Sequence, residues 1–201
     1  MSRDMPRDTG WIEVICGPMF SGKTEELIRR LRRAQIARQK VAIVKPVTDV
    51  RYGSAHIISH NQQKIPSSVI KHSSELLRIA AEAQVIGIDE VQFLDEGVVE
   101  ICERLANAGK RIIIAGLDQD YRARPFEPVP QLLAMAEYIT KTLAICVRCG
   151  NPANRTQRVG TATGRIAVGS SDLYEARCRR CYEPPEPEEG RPPQQGEESD
   201  G

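Results

Sequence analysis

The chain has 201 residues, 40% of them hydrophobic and 27% charged, with a formal net charge of +1. That length suits one medium domain with or without a small module, and the apolar content can fill a core, so disorder of the whole chain is excluded. No run approaches 18 apolar residues and the charged start Met1–Asp8 has no apolar stretch, which predicts neither a membrane span nor a secretory leader and gives a cytoplasmic protein as the expectation.

Trp11-Ile12-Glu13-Val14-Ile15-Cys16 reads as a first strand, followed at once by Gly17-Pro18-Met19-Phe20-Ser21-Gly22-Lys23-Thr24. The octet fits G-x-x-x-x-G-K-[ST], a nucleotide loop that requires a strand before it and a helix after it. Two glycines let successive N–H groups turn toward an anion, Lys23 adds charge beside the outer phosphates, and the Thr24 hydroxyl can ligate Mg²⁺. A bare strand-to-helix turn shaped by Gly17 and Gly22 is the competing reading. Glu25 to Gln39 carries Leu27, Ile28, Leu31, Ala34 and Ile36 at helical spacing, and Val41-Ala42-Ile43-Val44 is a buried strand, closing a β-α-β unit. Asp49 and Arg51 lie in the loop beyond, where either can reach a nucleotide or simply be solvated. Ser73-Ser74-Glu75 starts a helix through Leu76, Leu77, Ile79 and Ala80. The strand Val85-Ile86-Gly87-Ile88 follows, with Asp89-Glu90 at its carboxyl end. A helix over roughly Glu96 to Ala108 leads into Arg111-Ile112-Ile113-Ile114-Ala115, and a helix near Val129 to Ala136 precedes a strand over Tyr138 to Ile145.

Alternating elements with near-continuous apolar strands predict an α/β fold with a mostly parallel sheet covered on both faces. Ligands bind such sheets at the carboxyl ends of the strands, where the Gly17 loop, Asp89-Glu90 and Gly116-Leu117-Asp118 would converge. Phosphoryl transfer needs a metal against the developing charge and a base for the acceptor hydroxyl. Asp89, directly after four apolar residues, is placed to hold Mg²⁺ opposite Thr24, and Glu90 is available as the base. Two acids that merely cap and solvate a strand end are the alternative.

Cys146-x-x-Cys149 and Cys178-x-x-Cys181, with a 28-residue spacer, offer four thiolates, the set that structural Zn²⁺ takes in a tetrahedron. The spacer exceeds the usual length of about 15 to 20 residues, so the excess should project between the two knuckles. A redox dithiol or plain packing are the alternatives. Cys16 and Cys102 sit in apolar runs as core residues. His56, His60 and His72 have no metal-like spacing. From Glu183 to Gly201 the chain has seven acids, one arginine and five prolines, with no large apolar residue, and reads as a disordered tail. Its charge of −6 leaves about +7 on residues 1–182, which suits an anionic nucleotide or ordinary solvated lysines and arginines.

Taken together, GPMFSGKT-EELIRR, KP-x-x-D-x-RY, IDEVQF, GLDQDYR-x-x-PF, TKTLAIC-x-x-CG and YEARC-x-x-C resemble, in order, the type II thymidine kinases, the zinc-containing cytosolic class. The resemblance ends near Tyr182. It implies a P-loop, RecA-like α/β domain over residues 1–141, a zinc domain with a long nucleoside-covering lasso over 142–182, and leaves 183–201 as the acidic tail. The implied activity is ATP-dependent phosphorylation of thymidine, and of deoxyuridine, at the 5′-hydroxyl for DNA precursor salvage. The implied cofactors are ATP, Mg²⁺ and structural Zn²⁺. Gly17 to Thr24 would be the donor phosphate loop, Asp89 the magnesium carboxylate and Glu90 the base, with Val91, Gln92, Asp49 and Arg51 also on the nucleotide side. Met19, Leu117, Tyr121 and Phe126 match positions lining the thymine and sugar pocket. Ile166, Ala167, Val168, Gly169 and Ser170 fall in the lasso, whose backbone would meet the pyrimidine edge, with Tyr174 at its return. Thymine's N3–H between two carbonyls suits such a backbone edge, and cytosine, lacking that donor, would leave buried groups unpaired. Family likeness also implies a homotetramer and feedback inhibition by thymidine triphosphate. Two positions depart from the pattern: Ala123 stands where Gly is common, and Ser170 replaces the second lasso glycine. A nucleic-acid or switch role for the knuckles is the competing function, disfavoured because Tyr174 is the single aromatic between Cys146 and Cys181. No nucleic-acid or membrane partner is expected.

Overall fold

The computed structural model describes residues 9–47, 56–58, 64–159 and 173–185. Six strands form one fully parallel sheet: β1 (Trp11–Cys16), β2 (Val41–Pro46), β5 (Ser68–Ile70), β6 (Val85–Ile88), β7 (Arg111–Gly116) and β8 (Tyr138–Lys141). Their order across the sheet is β5-β2-β6-β7-β1-β8. β3 (His56–Ile58) and β4 (Lys64–Pro66) make a separate antiparallel pair. The helices are α1 (Lys23–Ile36), α2 (Glu75–Ile79), α3 (Gly97–Asn107) and α4 (Val129–Met135).

The apolar runs are nearly continuous because both sheet faces are covered. Ile12, Val14, Val44, Ile86, Ile88, Ile112 and Ile114 point to one face and pack with Leu76, Val98, Cys102, Leu105, Val129 and Leu132. Their odd partners, Ile15, Ile43, Val85, Ile113 and Ala115, point to the other face and meet Leu27, Ile28, Leu31 and Ala34 of α1. At about 1.5–3 kcal/mol for each large side chain fully removed from water, these two layers hold the sheet together. Charged residues also enter the second layer. Glu13 lies between Arg30 at 2.7 Å and Arg111 at 2.6 Å, and accepts the Trp11 indole N–H at 2.8 Å.

Two sequence expectations change. The helix expected to Gln39 ends at Ile36, because Arg38 takes φ 57 and the Gln39 N–H closes on the Ala34 carbonyl at 3.1 Å; Ile36 is left 81% exposed. The strand expected over Tyr138–Ile145 divides into β8 and β9 (Ala144–Ile145). Thr142 makes the break by giving both its N–H (2.8 Å) and its hydroxyl (3.0 Å) to the Cys16 carbonyl. β9 then pairs antiparallel with β10 (Pro152–Ala153), and β11 (Arg155–Arg158) pairs with β12 (Tyr174–Arg177). No helix among the described residues is long and apolar enough to cross a membrane.

Candidate active site

β6, β7 and β1 are adjacent and parallel, so the segments after Ile88, Gly116 and Cys16 leave the sheet side by side. The Gly17–Thr24 loop occupies the last of these exits. Gly17 takes φ 146, and a Cβ there would lie 2.3 Å from the Thr142 carbonyl oxygen, so a side chain is barred both by backbone conformation and by space. Ser21 Oγ donates to the Pro18 carbonyl at 2.8 Å and lies 2.8 Å from Thr142 Oγ1, tying the loop to the end of β8. Gly22, at φ 79, caps α1, and Thr24 stands in that helix's first turn.

Lys23 is buried, and its Nζ donates to the Pro18 carbonyl at 2.7 Å. Burial pulls its pKa below the ordinary lysine value, while the negative charges of Glu90, Asp89 and Asp118 work against that shift. An anion arriving beside Lys23 would favour its charged form. Asp89 is also buried, and the Thr24 hydroxyl stands 3.4 and 3.3 Å from its two carboxylate oxygens. Those separations are long for an O–H···O bond. Hydroxyl and carboxylate oxygens are the hard ligands that Mg²⁺ takes, and a separation near 3 Å is what two neighbouring ligands on an octahedron with bonds of about 2.1 Å require. The pair therefore fits such a cation.

Glu90 follows at φ 51, a left-handed conformation, and its N–H donates to Asp89 Oδ1 at 3.1 Å. Gln92 fixes the turn. Its amide nitrogen donates to the Glu90 carboxylate, and its Oε1 accepts the Leu117 N–H at 3.0 Å. Gly116 leaves room for this bridge, since a Cβ there would lie 2.9 Å from Gln92 Oε1 and 2.7 Å from Val91 Cγ1. Asp118 pairs with Lys141 at 2.6 Å, joining the exits of β7 and β8. Cys16 beneath the loop is a core thiol, pushed up to about 11 by burial and the Asp118 charge.

Of the positions matched to a nucleoside pocket, Tyr121, Phe126 and Tyr174 are buried, and Phe126 meets Phe93 edge-on at 6.2 Å. Leu117 is held through Gln92, and the Met19 N–H donates to Thr156 Oγ1 of β11 at 3.1 Å. Asp120 accepts the N–H groups of Arg122 (2.9 Å) and Arg124 (3.0 Å), closing a turn in which Ala123 takes φ 60. Asp49, Arg51 and Ile166 to Ser170 lie outside the described residues, as does most of the acidic tail. Sequence reasoning passed over Thr156, Arg158 and Gln119. Arg158 and Thr156 contact the pocket candidates through β11, and Arg155 donates to Gln119. A short polar strand carries no periodic signal of such contacts.

Cys146, Cys149, Cys178 and Cys181 come together with all four sulfurs within 4.8 Å of one another, and the Cys149 and Cys178 sulfurs are 3.6 Å apart. A zinc tetrahedron with Zn–S bonds of about 2.3 Å has sulfur–sulfur edges of about 3.8 Å, so the quartet fits that ion. Each knuckle is a tight turn: Gly150 N–H to the Cys146 carbonyl at 2.8 Å, and Cys181 N–H to the Cys178 carbonyl at 3.1 Å. The thiols share charge unevenly. Burial raises Cys146, but N–H groups aimed at its sulfur outweigh this and bring it to about 6, whereas hydrogen bonds to Cys149 and Cys178 push Cys181 up to about 12.

A family profile described as Thymidine kinase matches residues 10–182. The chain is also 56% identical over 178 residues to a protein named Thymidine kinase from Rhodothermus sp. (strain ITI 518), an alignment covering 89% of this chain and 84% of that one.

Proposed function

The chain belongs to the thymidine kinase family, and from that premise we propose that it transfers the terminal phosphoryl group of ATP to the 5′-hydroxyl of thymidine. The observation that carries this reading is the strand-end cluster: the Thr24 hydroxyl facing the Asp89 carboxylate at 3.3–3.4 Å, beside buried Lys23 and next to Glu90. In it the Gly17–Thr24 loop, through backbone N–H groups other than that of Met19, and the Lys23 ammonium bind the donor phosphates. Thr24 and Asp89 hold Mg²⁺, which supplies charge neutralisation on the phosphates. Glu90 takes the proton of the 5′-hydroxyl as that oxygen bonds to the γ-phosphorus and the bond to the β–γ bridging oxygen breaks, giving thymidine monophosphate and ADP. Gln92 anchors the Glu90 carboxylate by donating to it, and in this reading Asp89 serves the metal and Glu90 the acceptor.

Met19, Leu117, Tyr121, Phe126 and Tyr174 enclose the nucleoside, with residues 166–170 completing the pyrimidine edge and Val91, Asp49 and Arg51 on the nucleotide side. Deoxyuridine is a second acceptor, because it retains thymine's N3–H and both carbonyls and lacks only the methyl group. The same resemblance supports a role in DNA precursor salvage in the cytoplasm, a homotetramer, and inhibition by thymidine triphosphate. The Cys quartet holds zinc in a structural role, since four protein thiolates leave no open position for chemistry. The test is ADP production by purified protein with ATP·Mg²⁺. Formation of ADP and thymidine monophosphate in equal amounts, dependent on thymidine, supports the reading; ADP production indifferent to thymidine contradicts it.

A further inference from the structure

Arg158 ends β11 directly opposite Tyr174, the first residue of β12. Its guanidinium carbon lies 3.7 Å from the centroid of the Tyr121 ring and 5.4 Å from that of Tyr174, and its Nη2 donates to the Tyr174 hydroxyl at 2.9 Å. Tyr121 is also held by Arg122, whose Nε donates to its hydroxyl at 2.9 Å, and by Tyr182, whose hydroxyl donates to its carbonyl at 2.8 Å. Both rings are buried, each 9% exposed. One cation thus joins an aromatic residue on the β7–α4 connection to one on the Cys-bearing hairpin.

We propose that Arg158 is a positioning residue for the nucleoside: it fixes the Tyr121 and Tyr174 rings relative to each other and so sets the shape of the thymidine pocket, without touching ATP. The inference rests on the pocket assignment above. A planar guanidinium suits the task, because one face stacks on Tyr121 while an in-plane N–H reaches the Tyr174 hydroxyl. A lysine ammonium would keep the attraction to one ring and lose the stacked plane. The segment Gly17–Thr24 meets the same hairpin through a different residue, Thr156 at 3.1 Å from the Met19 nitrogen, so loss of Arg158 leaves that link in place.

The experiment compares wild type, Arg158→Met and Arg158→Lys in steady-state kinetics, varying thymidine at saturating ATP and then the reverse, with zinc content and thermal unfolding recorded for each. Removing a desolvated cation–π contact together with its hydrogen bond should raise the thymidine KM about tenfold in Arg158→Met, with the ATP KM within about twofold and zinc at the wild-type level. Arg158→Lys should fall between the two. Adding Tyr174→Phe to Arg158→Met should cost no more than about another twofold, because the bond it removes is already gone. A thymidine KM unchanged in a folded, zinc-loaded Arg158→Met or Arg158→Lys overturns the proposal while leaving the kinase reading intact, and so do equal rises in both KM values. Wild-type protein showing no thymidine-dependent ADP production would overturn the kinase reading and this inference with it. Should Arg158→Met fail to fold, Arg158→Lys and Tyr174→Phe decide by the same KM split.

Discussion

The parallel sheet and the cysteine-bearing hairpins solve the same problem with different means. The sheet buries two layers of Ile, Leu and Val, with side chains such as Ile86, Ile113 and Leu31 wholly removed from water. Around the cysteines the buried cluster is Ala144, Cys146, Ala153, Ala176 and Cys178, methyl groups and sulfur, with only the part-buried Phe20 and Cys181 packed against it. At about 0.8 kcal/mol for each buried methylene-sized group, three alanines do not offset the entropy of ordering two short hairpins. Four sulfurs within 4.8 Å of one another fit a zinc ion, and under the proposed function that ion supplies what burial does not. On the reading proposed above, placement of the Gly17–Thr24 loop and of Asp89 and Glu90 therefore depends on hydrophobic packing, and placement of Tyr174, Thr156 and Arg158 on metal binding.

The largest effect expected from this contrast follows metal removal. Apparent zinc-binding free energies near 10–16 kcal/mol mean that chelation, or Cys178→Ser, should melt β9–β12 while sparing the sheet. Hydrogen exchange checks it: the amides of Cys146, Gly150 and Cys181 should lose protection while those of Ile86 and Ile113 keep theirs. Loss in both regions together would break the contrast. A smaller effect tests the sheet. Glu13→Ala leaves Arg30 and Arg111 facing each other across a buried site and should lower stability by about 2–3 kcal/mol in denaturant unfolding, less than for a fully buried pair because Arg111 keeps some solvent contact. Acid should act on the same network. Burial raises the Glu13 pKa, but Arg111, Trp11 and Arg30 bring it below the ordinary carboxylate value, and hydrogen bonds from Arg29 and then Arg30 bring Glu26 to about 2 despite its burial. Depressed folded values give stability that is present above the unfolded value near 4.5 and lost as pH falls through the folded ones, so the denaturation midpoint should drop between about pH 4.5 and 2. Glu13→Gln should flatten that drop. The smallest effect concerns Ala123, held at φ 60 where L side chains are strained. Ala123→Gly should raise the free energy of unfolding by roughly 0.5 kcal/mol in denaturant titration, as relief of backbone strain exceeds the added freedom of the unfolded chain. A decrease would show that the Asp120 turn tolerates alanine without strain.

The two regions also differed in how much of them could be read from the chain. β1, β2, β6 and β7 were legible because strands buried on both faces leave continuous apolar runs, and their carboxyl ends then locate the Gly17 loop and Asp89-Glu90. The Cys quartet was legible from spacing alone. β3, β4 and β5 were missed because three-residue strands show no periodicity and exist through their partners. The break between β8 and β9 was hidden for a similar reason: Thr142 fits the strand pattern, and its two bonds to the Cys16 carbonyl come from far along the chain. Arg158 looks like any surface arginine until Tyr121 and Tyr174 are brought beside it.

The proposed division of labour between the two strand-end acids is tested most directly by Glu90→Gln, measured in parallel for thymidine-dependent turnover and for equilibrium binding of ATP·Mg²⁺. A neutral amide cannot accept the hydroxyl proton, so turnover should fall by about 10²- to 10⁴-fold while ATP·Mg²⁺ affinity stays within about threefold of wild type. Turnover close to wild type in the folded variant would contradict the account and remove Glu90 from the role of base.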